Sequence, residues 1–456
     1  MSGLLIAGTT SDAGKSIVTT GLCRAFARRA VHVAPYKAQN MSNNSMVTAS
    51  GAEIGRAQWV QALAARAEPE AAMNPVLLKP GSDQRSHVVV MGQPAGTVSS
   101  ADWEGGRAHL ARAAHEAYDD LASRYDVIVA EGAGSPAEIN LRRGDYVNMG
   151  LAQHAGLPTV VVGDIDRGGV FAAFVGTLAL LDDSDARLLA GWIVNKFRGS
   201  LELLQPGIDE LVARTGRPSY GVLPWHPGLW LDSEDALDLE GRRSSATGTK
   251  RVAVVRFPRV SNFTDVDALG LEPDLDVFFA SSPRDLRDAD LVVLPGTRAT
   301  ISDLAWLRSR GLDTAVLAHA ASGRPVLGIC GGCQMLGRTV ADPHGVEGAP
   351  TTVAGLGLLD LATEFTAEKV LRLHPSGAYE IHHGRVSGSL ASGGVSGTMA
   401  HGSLEDDAFR ATFLADALGV TSRASFPAAR ERRLDLLGDL VEEHLDVSAL
   451  LGLALS

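Results

Sequence analysis

Short uninterrupted apolar runs, separated by longer stretches with helical spacing, dominate the first half of the chain. Residues 4–7, 127–130, 159–162 and 191–194 read as strands buried on both faces, because a strand with one wet face alternates apolar and polar positions and these do not. Such strands between helical segments predict a parallel sheet covered by helices. A second alternation begins at residues 252–255, continues through 291–294 and 325–329, and reaches a Gly-rich stretch near 387–397. Between the two, residues 239–250 (L-E-G-R-R-S-S-A-T-G-T-K) have nothing to bury on either face, which predicts a linker. Residues 431–453 show apolar positions at helical spacing and predict a terminal helix pair. The pattern is α/β throughout: a first domain over 1–238, a linker over 239–250, and a second domain over 251–456 that includes the helical tail.

Composition sharpens this. A chain of 456 residues exceeds what one hydrophobic core usually organises, which agrees with two domains. With 45% hydrophobic and 21% charged residues, and its 50 glycines scattered rather than gathered into a tract, it has the make-up of a globular protein. The formal net charge of −12 argues against a general nucleic-acid or anionic-membrane surface, since such partners are held by neutralising phosphates. The apolar start lacks a basic leader and meets Asp12 and Lys15 too soon for a signal peptide, and no apolar run reaches membrane-spanning length. Only Cys23, Cys330 and Cys333 are present, so no disulfide framework is expected and a cytoplasmic setting is.

The first candidate chemistry directly follows the first strand: residues 8–16 read G-T-T-S-D-A-G-K-S and open a helical stretch. Glycine lets backbone N–H groups approach phosphate oxygens, the helix start adds positive potential, Lys15 can reach terminal phosphates, and Ser16 can hold Mg2+. Thr9, Thr10, Asp12, Ala13, Gly14, Lys15 and Ser16 are therefore assigned to a nucleotide, with ATP and Mg2+ as its components. The strand over 127–130 delivers Glu131, a carboxylate that can bind Mg2+ directly or through water. A glutamate at a strand end is otherwise commonly a solvated loop residue. Asp145, Asp164 and Asp166 are weaker candidates for metal or substrate contacts, and each could instead cap a helix. The loop is one residue longer than the usual phosphate-binding spacing; it resembles the variant of dethiobiotin synthetase and its relatives, which use ATP to activate a carboxylate. That resemblance implies that Lys37, in P-Y-K-A-Q-N, faces the phosphates and the reacting carboxylate, and that Asn195 lies at the adenine edge.

The second candidate is V-L-G-I-C-G-G-C-Q-M-L-G over 326–337. An apolar strand ends at Ile329, Cys330 falls on the turn, and glycines lead into a helix, so the thiol is exposed at a tight elbow where the helix start favours a thiolate. The same residues form a C-x-x-C. A zinc site would need a second ligand pair that the chain lacks, whereas a thiol-redox role stays open on spacing alone. Gly328, Cys330 and Gly332 match the G-x-C-x-G of the class I glutamine amidotransferases, which the segment resembles. That resemblance implies His401, in G-T-M-A-H-G-S, as the base, and the N–H groups of Gly296 and Gly331 as the oxyanion site. Many of those enzymes carry a glutamate two residues after the histidine; here Ser403 stands there, which implies a Cys-His pair without that carboxylate. His382 and His383 are rival histidines.

Several further segments resemble the cobyric acid synthase family: K-A-Q-N-M-S-N-N from Lys37, M-N-P-V-L-L-K-P from Met73, D-I-D-R-G-G-V-F-A from Asp164 and S-N-F-T-D from Ser261. With both motifs they span nearly the whole chain, whereas cobyrinic acid a,c-diamide synthases share the architecture but not this set. The resemblance implies glutamine- and ATP-dependent amidation of a corrin polycarboxylate, adenosylcobyrinic acid a,c-diamide, in four successive steps. Such a substrate needs cationic partners, for which Arg142, Arg143, Arg167 and Lys79 stand in the relevant loops. His87 departs from the glutamine expected in its loop. Two other classes compete: a non-enzymatic P-loop regulatory ATPase with a degenerate thiol domain, and a C-x-x-C redox protein.

Overall fold

Six parallel strands organise the first unit: β1 (Gly3–Gly8), β2 (Val33–Tyr36), and, after an inserted small sheet of β3 (Gln39–Met41), β4 (Val76–Pro80), β5 (Arg85–Val90) and β6 (Gln93–Ser99), β7 (Val127–Glu131), β8 (Thr159–Asp164), β9 (Leu189–Phe197) and β10 (Ser219–Pro224). The main sheet runs β10-β9-β8-β1-β7-β2, and each of the four apolar runs read from the sequence falls inside one of its strands. Strands β1, β7 and β8 are buried along their whole length, which is why their sequences do not alternate. The small sheet, in the order β3-β4-β5-β6, was not legible in the periodicity. This computed structural model describes residues 2–80, 85–99, 107–229 and 249–456, so most of the segment read as a linker lies outside the described residues.

The second unit is again α/β. Its central sheet runs β12-β11-β13-β14-β20-β19 and is built from β11 (Lys250–Val255), β12 (Leu275–Ala280), β13 (Leu291–Leu294), β14 (Val326–Ile329), β19 (Ala391–Ser392) and β20 (Val395–Thr398), all parallel except the β19/β20 hairpin. A smaller sheet, β16-β15-β17-β18, holds β15 (Thr339–Asp342), β16 (Thr351–Ala354), β17 (Leu361–Leu373) and β18 (Tyr379–Gly388). Val252, Val254, Leu291, Val293, Leu327 and Ile329 share one core with the helices that flank the central sheet.

Two exchanges depart from the boundaries read in the sequence. Residues 43–51 cluster with the second unit, and Arg430–Ser456 cluster with the first. The tail does form a helix pair, but it packs on the unit that starts the chain: Leu434, Val441, Val447 and Leu450 join Leu4, Ile6, Val18, Leu22 and Phe26 in one core. Arg24, 1% exposed, binds Asp435 at 2.7 Å and also Glu431, while Arg28 binds Asp435 and Asp439, each at 2.7 Å. Helical spacing reveals that an apolar stripe exists, not which core receives it. Among the described residues no helix is long and apolar enough to cross a membrane.

Because Leu450 is fully buried in the core of the first unit, Leu450→Ala is expected to destabilise that unit by roughly 2–5 kcal/mol, the cost of removing a buried aliphatic side chain. Urea titration followed by circular dichroism measures this; an unchanged midpoint would mean that the tail contributes nothing to the first unit's core.

Candidate active sites

The loop after β1 turns through a short 3-10 segment, Ser11–Ala13, into the helix Lys15–Arg28. The turn closes at Gly14, which has φ 97°, and a Cβ there would lie 1.9 Å from Asn195 Nδ2. Glycine is thus required both for the left-handed backbone and for the approach of Asn195, whose amide donates to Ala13 O at 2.9 Å. Lys15 is 4% exposed and curls back over the loop, its ammonium donating to Thr10 O at 2.9 Å and to Ser11 O and Gly134 O at 3.2 Å. A ring of backbone carbonyls holds the cation where terminal phosphate oxygens would compete for it.

Glu131, at the end of β7 next to β1, is the hub of this site. Its Oε1 accepts from Ser16 Oγ and from Lys37 Nζ, both at 2.9 Å, and its Oε2 accepts from Gln61 Nε2 at 2.6 Å. Burial on its own would raise this carboxyl, but the Lys37 charge, the hydrogen bonds from Lys37 and Gln61, and Lys15 outweigh it and hold the group below the usual carboxylate range. Gln61 escaped the sequence reading because it lies in the middle of the helix Arg56–Ala64, where a polar residue ordinarily faces water. A serine hydroxyl and an ionised carboxylate are hard oxygen donors, so Ser16 and Glu131 fit Mg2+. Among the described residues no group of three or more His, Cys, Asp or Glu side chains gathers to hold a metal.

Arg143 is exposed on the short segment Arg142–Gly144, and the other acidic and basic candidates of this unit are engaged with neighbours. Asp145 accepts from Val147 N at 2.8 Å, Asn148 N at 2.9 Å and Gly150 N at 3.0 Å, capping the helix Met149–Ala155. Asp164 accepts from Asp166 N and pairs with Lys196 at 2.7 Å, while Asp166 faces Arg198 at 3.6 Å. Arg142 is locked on buried Asp185 by bonds of 2.5 and 2.8 Å, and exposed Arg167 reaches Asp12 at 2.8 Å. Lys79 is paired with buried Glu53 at 2.5 Å. A cation that the sequence reading did not mark, Arg107, joins Arg142 in lining the open space beside Gly134. There a cavity of about 290 Å3 is bounded by Gln39, Arg107, Gly134, Glu138, Arg142 and Tyr146, among others. Arg107 is 8% exposed, and burial lowers its guanidinium against a smaller opposing effect of Tyr146. The Tyr146 hydroxyl donates to Gln39 Oε1 at 2.5 Å, which leaves the Gln39 amide N–H groups as the donors it can offer a ligand.

In the second unit, Cys330 stands between β14 and the helix Gly331–Leu336 with φ 49° and ψ −108°. A left-handed non-glycine backbone is strained, and here it lifts the thiol out of the strand direction at the elbow. His401 is 1% exposed, and its Nδ1 lies 2.7 Å from Asp265 Oδ2, while Asp265 Oδ1 accepts from Gly402 N at 2.8 Å. Burial alone would lower the imidazolium; the charges of Asp265 and Cys330 and the hydrogen bonds to both outweigh it and bring it up to about 10. The stabilisation carried by this pairing is complete below the ordinary histidine value of 6.5 and is lost as pH rises toward 10.

His401 thus has a carboxylate partner in Asp265 and feels Cys330 as well, a thiol–imidazole–carboxylate arrangement that corrects the expectation of a Cys-His pair without a carboxylate. Ser403, the residue in the usual place, instead donates to Ala400 O at 2.8 Å. Asp265 lies in the S-N-F-T-D segment, 136 positions before the histidine, so no local spacing could connect the two. His382 is held between Glu380 Oε2 and Gly384 O, both at 2.8 Å, and His383 Nδ1 lies 3.1 Å from Thr366 O; neither takes the place of His401. Cys333 is fully buried, packs against Gly397, and burial together with neighbouring Cys330 pushes its thiol up to about 12, which argues against a resolving thiol. Gly296 lies against the histidine, a Cβ there falling 2.8 Å from His401 Cε1, and Gly331 abuts Thr297.

Residues 4–237 match the CobQ/CobB/MinD/ParA nucleotide binding domain family, and residues 251–408 match the CobB/CobQ-like glutamine amidotransferase domain family. The chain is 72% identical to the cobyric acid synthase of Mycolicibacterium vanbaalenii, 70% to that of Mycolicibacterium gilvum and 68% to that of Mycobacterium tuberculosis, with 100% of this chain and 97% of each relative covered.

Since Asp265 raises His401, Asp265→Ala is expected to cut Cys330-dependent glutamine hydrolysis about a hundredfold or more and to move the alkaline limb of its pH profile to lower pH. Ser403→Ala is expected to leave both nearly unchanged. Equal losses in the two variants would remove Asp265 from the triad.

Proposed function

The chain belongs to the cobyric acid synthase family, and from that premise we propose that it converts adenosylcobyrinic acid a,c-diamide into adenosylcobyric acid by four successive ATP- and glutamine-dependent amidations. The observation that carries this reading is the presence, in one chain, of a thiol–imidazole–carboxylate triad and a phosphate loop whose Ser16 and neighbouring Lys37 meet on Glu131. Three cysteines left as thiols accord with a cytoplasmic setting.

At the triad, the Cys330 sulfur attacks the carboxamide carbon of glutamine, and the imidazolium of His401 gives its proton to the departing nitrogen, releasing ammonia. Water, deprotonated by the neutral imidazole, then cleaves the thioester to glutamate and restores the thiol pair. The N–H groups of Gly296 and Gly331 receive the oxyanion. Asp265 holds the tautomer that points Nε2 at the chemistry and stabilises the charged ring.

In the first unit, a substrate carboxylate oxygen attacks the terminal phosphorus of ATP, ADP leaves, and the resulting acyl phosphate is open to ammonia. The N–C bond forms as phosphate departs, so each cycle turns a carboxylate, ATP, glutamine and water into an amide, ADP, phosphate and glutamate. Activation is needed because a carboxylate has no good leaving group. Lys15 and Lys37 steady the transferring phosphoryl group. Ser16 and Glu131 would hold Mg2+, which would supply charge neutralisation at the phosphates. The cavity beside Gly134 seats the carboxylate side chain, with Arg107 and the Gln39 amide as its donors.

Two outcomes test the assignment. Cys330→Ala is expected to abolish glutamine-dependent amidation while ammonium at alkaline pH still supports it, as read by mass spectrometry of the corrin product; Cys333→Ser should do far less. Loss of both activities in both variants would favour the redox reading. Separately, Arg107→Ala is expected to raise the KM for the corrin with either nitrogen donor and to leave glutamine hydrolysis intact; an unchanged KM would take Arg107 out of the carboxylate site.

A further inference from the structure

The triad's carboxylate sits on a turn that residues distant in sequence hold in place. Residues 43–51 belong to the second unit. Within that unit, Ser45 N donates to Asn262 Oδ1 at 2.9 Å, a bond between residues 217 positions apart, and Phe263 N donates to Asn44 Oδ1 at 3.2 Å. The two asparagines thus make a reciprocal clasp in which the side-chain oxygen of each segment takes a backbone N–H of the other. Both are buried, Asn44 to 1% and Asn262 to 3% exposure, so these bonds are shielded from competing water.

Asn262 has φ 49° and ψ 40°, the left-handed conformation that asparagine tolerates better than most residues. It opens the turn Phe263–Val266, in which Asp265 N bonds back to Asn262 O at 3.0 Å. On the other side of Asn262, Ser261 N donates to Gly296 O at 2.9 Å, beside the histidine. The short strand Ser45–Val47 packs its buried residues against β17 and β18, and β18 begins at Tyr379, whose ring stacks on His401 with centroids 5.5 Å apart. The groups facing His401 are Asp265, Cys330, His382 and the Tyr379 ring. Asn44 meets the turn through Phe263 N, two residues before Asp265.

We propose that Asn44 is a positioning residue for glutamine hydrolysis: by accepting from Phe263 N, next to the bond from Ser45 N to Asn262, it sets the turn that aims the Asp265 carboxylate at His401 Nδ1. The proposal rests on Cys330 being the glutamine nucleophile. It gives the K-A-Q-N-M-S-N-N segment two duties, with Lys37 serving Glu131 and Asn44 serving the triad. It also explains why that stretch is polar yet buried, a combination that neither a strand nor a loop ordinarily requires.

The test uses the full-length protein and measures glutamine hydrolysis across pH, with ammonium-driven amidation as the control for an intact first unit. Asn44→Ala is expected to lower kcat by roughly tenfold to a hundredfold, the cost of a misplaced catalytic group. The KM for glutamine should stay near the parent's value, and the alkaline limb should move to lower pH as Asp265 loses its hold on His401. Asn44→Ser keeps a neutral oxygen able to accept from Phe263 N and should retain more activity than Asn44→Ala. Should Asn44→Ala fail to fold, Asn262→Gly tolerates the left-handed backbone, removes the acceptor for Ser45 N and should show the same kcat loss and limb shift. A kcat within twofold of the parent, or a loss with an unmoved alkaline limb that Asn44→Ser does not lessen, would overturn the proposal while leaving the glutaminase reading in place. Persistence of glutamine hydrolysis in Cys330→Ala would overturn that reading, and the proposal with it.

Discussion

A buried charge must be paired, and the pairing of His401 with Asp265 is the constraint on which the second unit's chemistry depends. Both side chains are almost wholly removed from water, at 1% and 3% exposure. Either one alone would carry a desolvation cost of several kcal/mol, so the turn at 263–266, the exit of β20 and the elbow at Cys330 have to be correct together. Asp265 also takes the Gly402 N–H, which fixes the backbone on which the imidazole is mounted. The strain at Cys330 persists because its neighbours are over-determined in this way: β14 is paired on both sides, by β13 and β20.

The first unit obeys the same rule with the opposite sign at its centre. Glu131 is a buried carboxylate surrounded by Lys37, Ser16 and Gln61, and its ionisation survives burial only through them. A site held together by a lysine and a hydroxyl is also one that a cation and a phosphate can enter, because each incoming charge finds a partner already placed. Both sites lie just past the carboxyl ends of parallel strands, Gly8 and Glu131 in one unit and Cys330 in the other. Ligands favour that edge in open α/β sheets, where loops from neighbouring strands converge while the strands themselves stay buried.

The cations show how context decides a residue's role. Arg142, Arg167 and Lys79 have the right charge for a polycarboxylate, and each is engaged with an acidic neighbour; of these Arg142 also lines the cavity, as does Arg107, which no motif marks. Asp145 likewise has the chemistry of a ligand and the geometry of a cap. Charge is a property of the residue, but availability is a property of its surroundings.

What the sequence determined by itself was local. Uninterrupted apolar runs specify buried parallel strands, Gly14 and Lys15 specify a phosphate loop, and Cys330 between a strand and glycines specifies an elbow, because backbone conformation and burial over a few residues decide each of these. Tertiary structure decided whatever joins distant residues: Asp265 as the partner of His401, Gln61 as the partner of Glu131, the tail's return to the first core, and the loan of residues 43–51 to the second unit. Those choices depend on which surfaces meet once strands and helices pack. Hydrophobic periodicity records only that a surface must be covered, not by what.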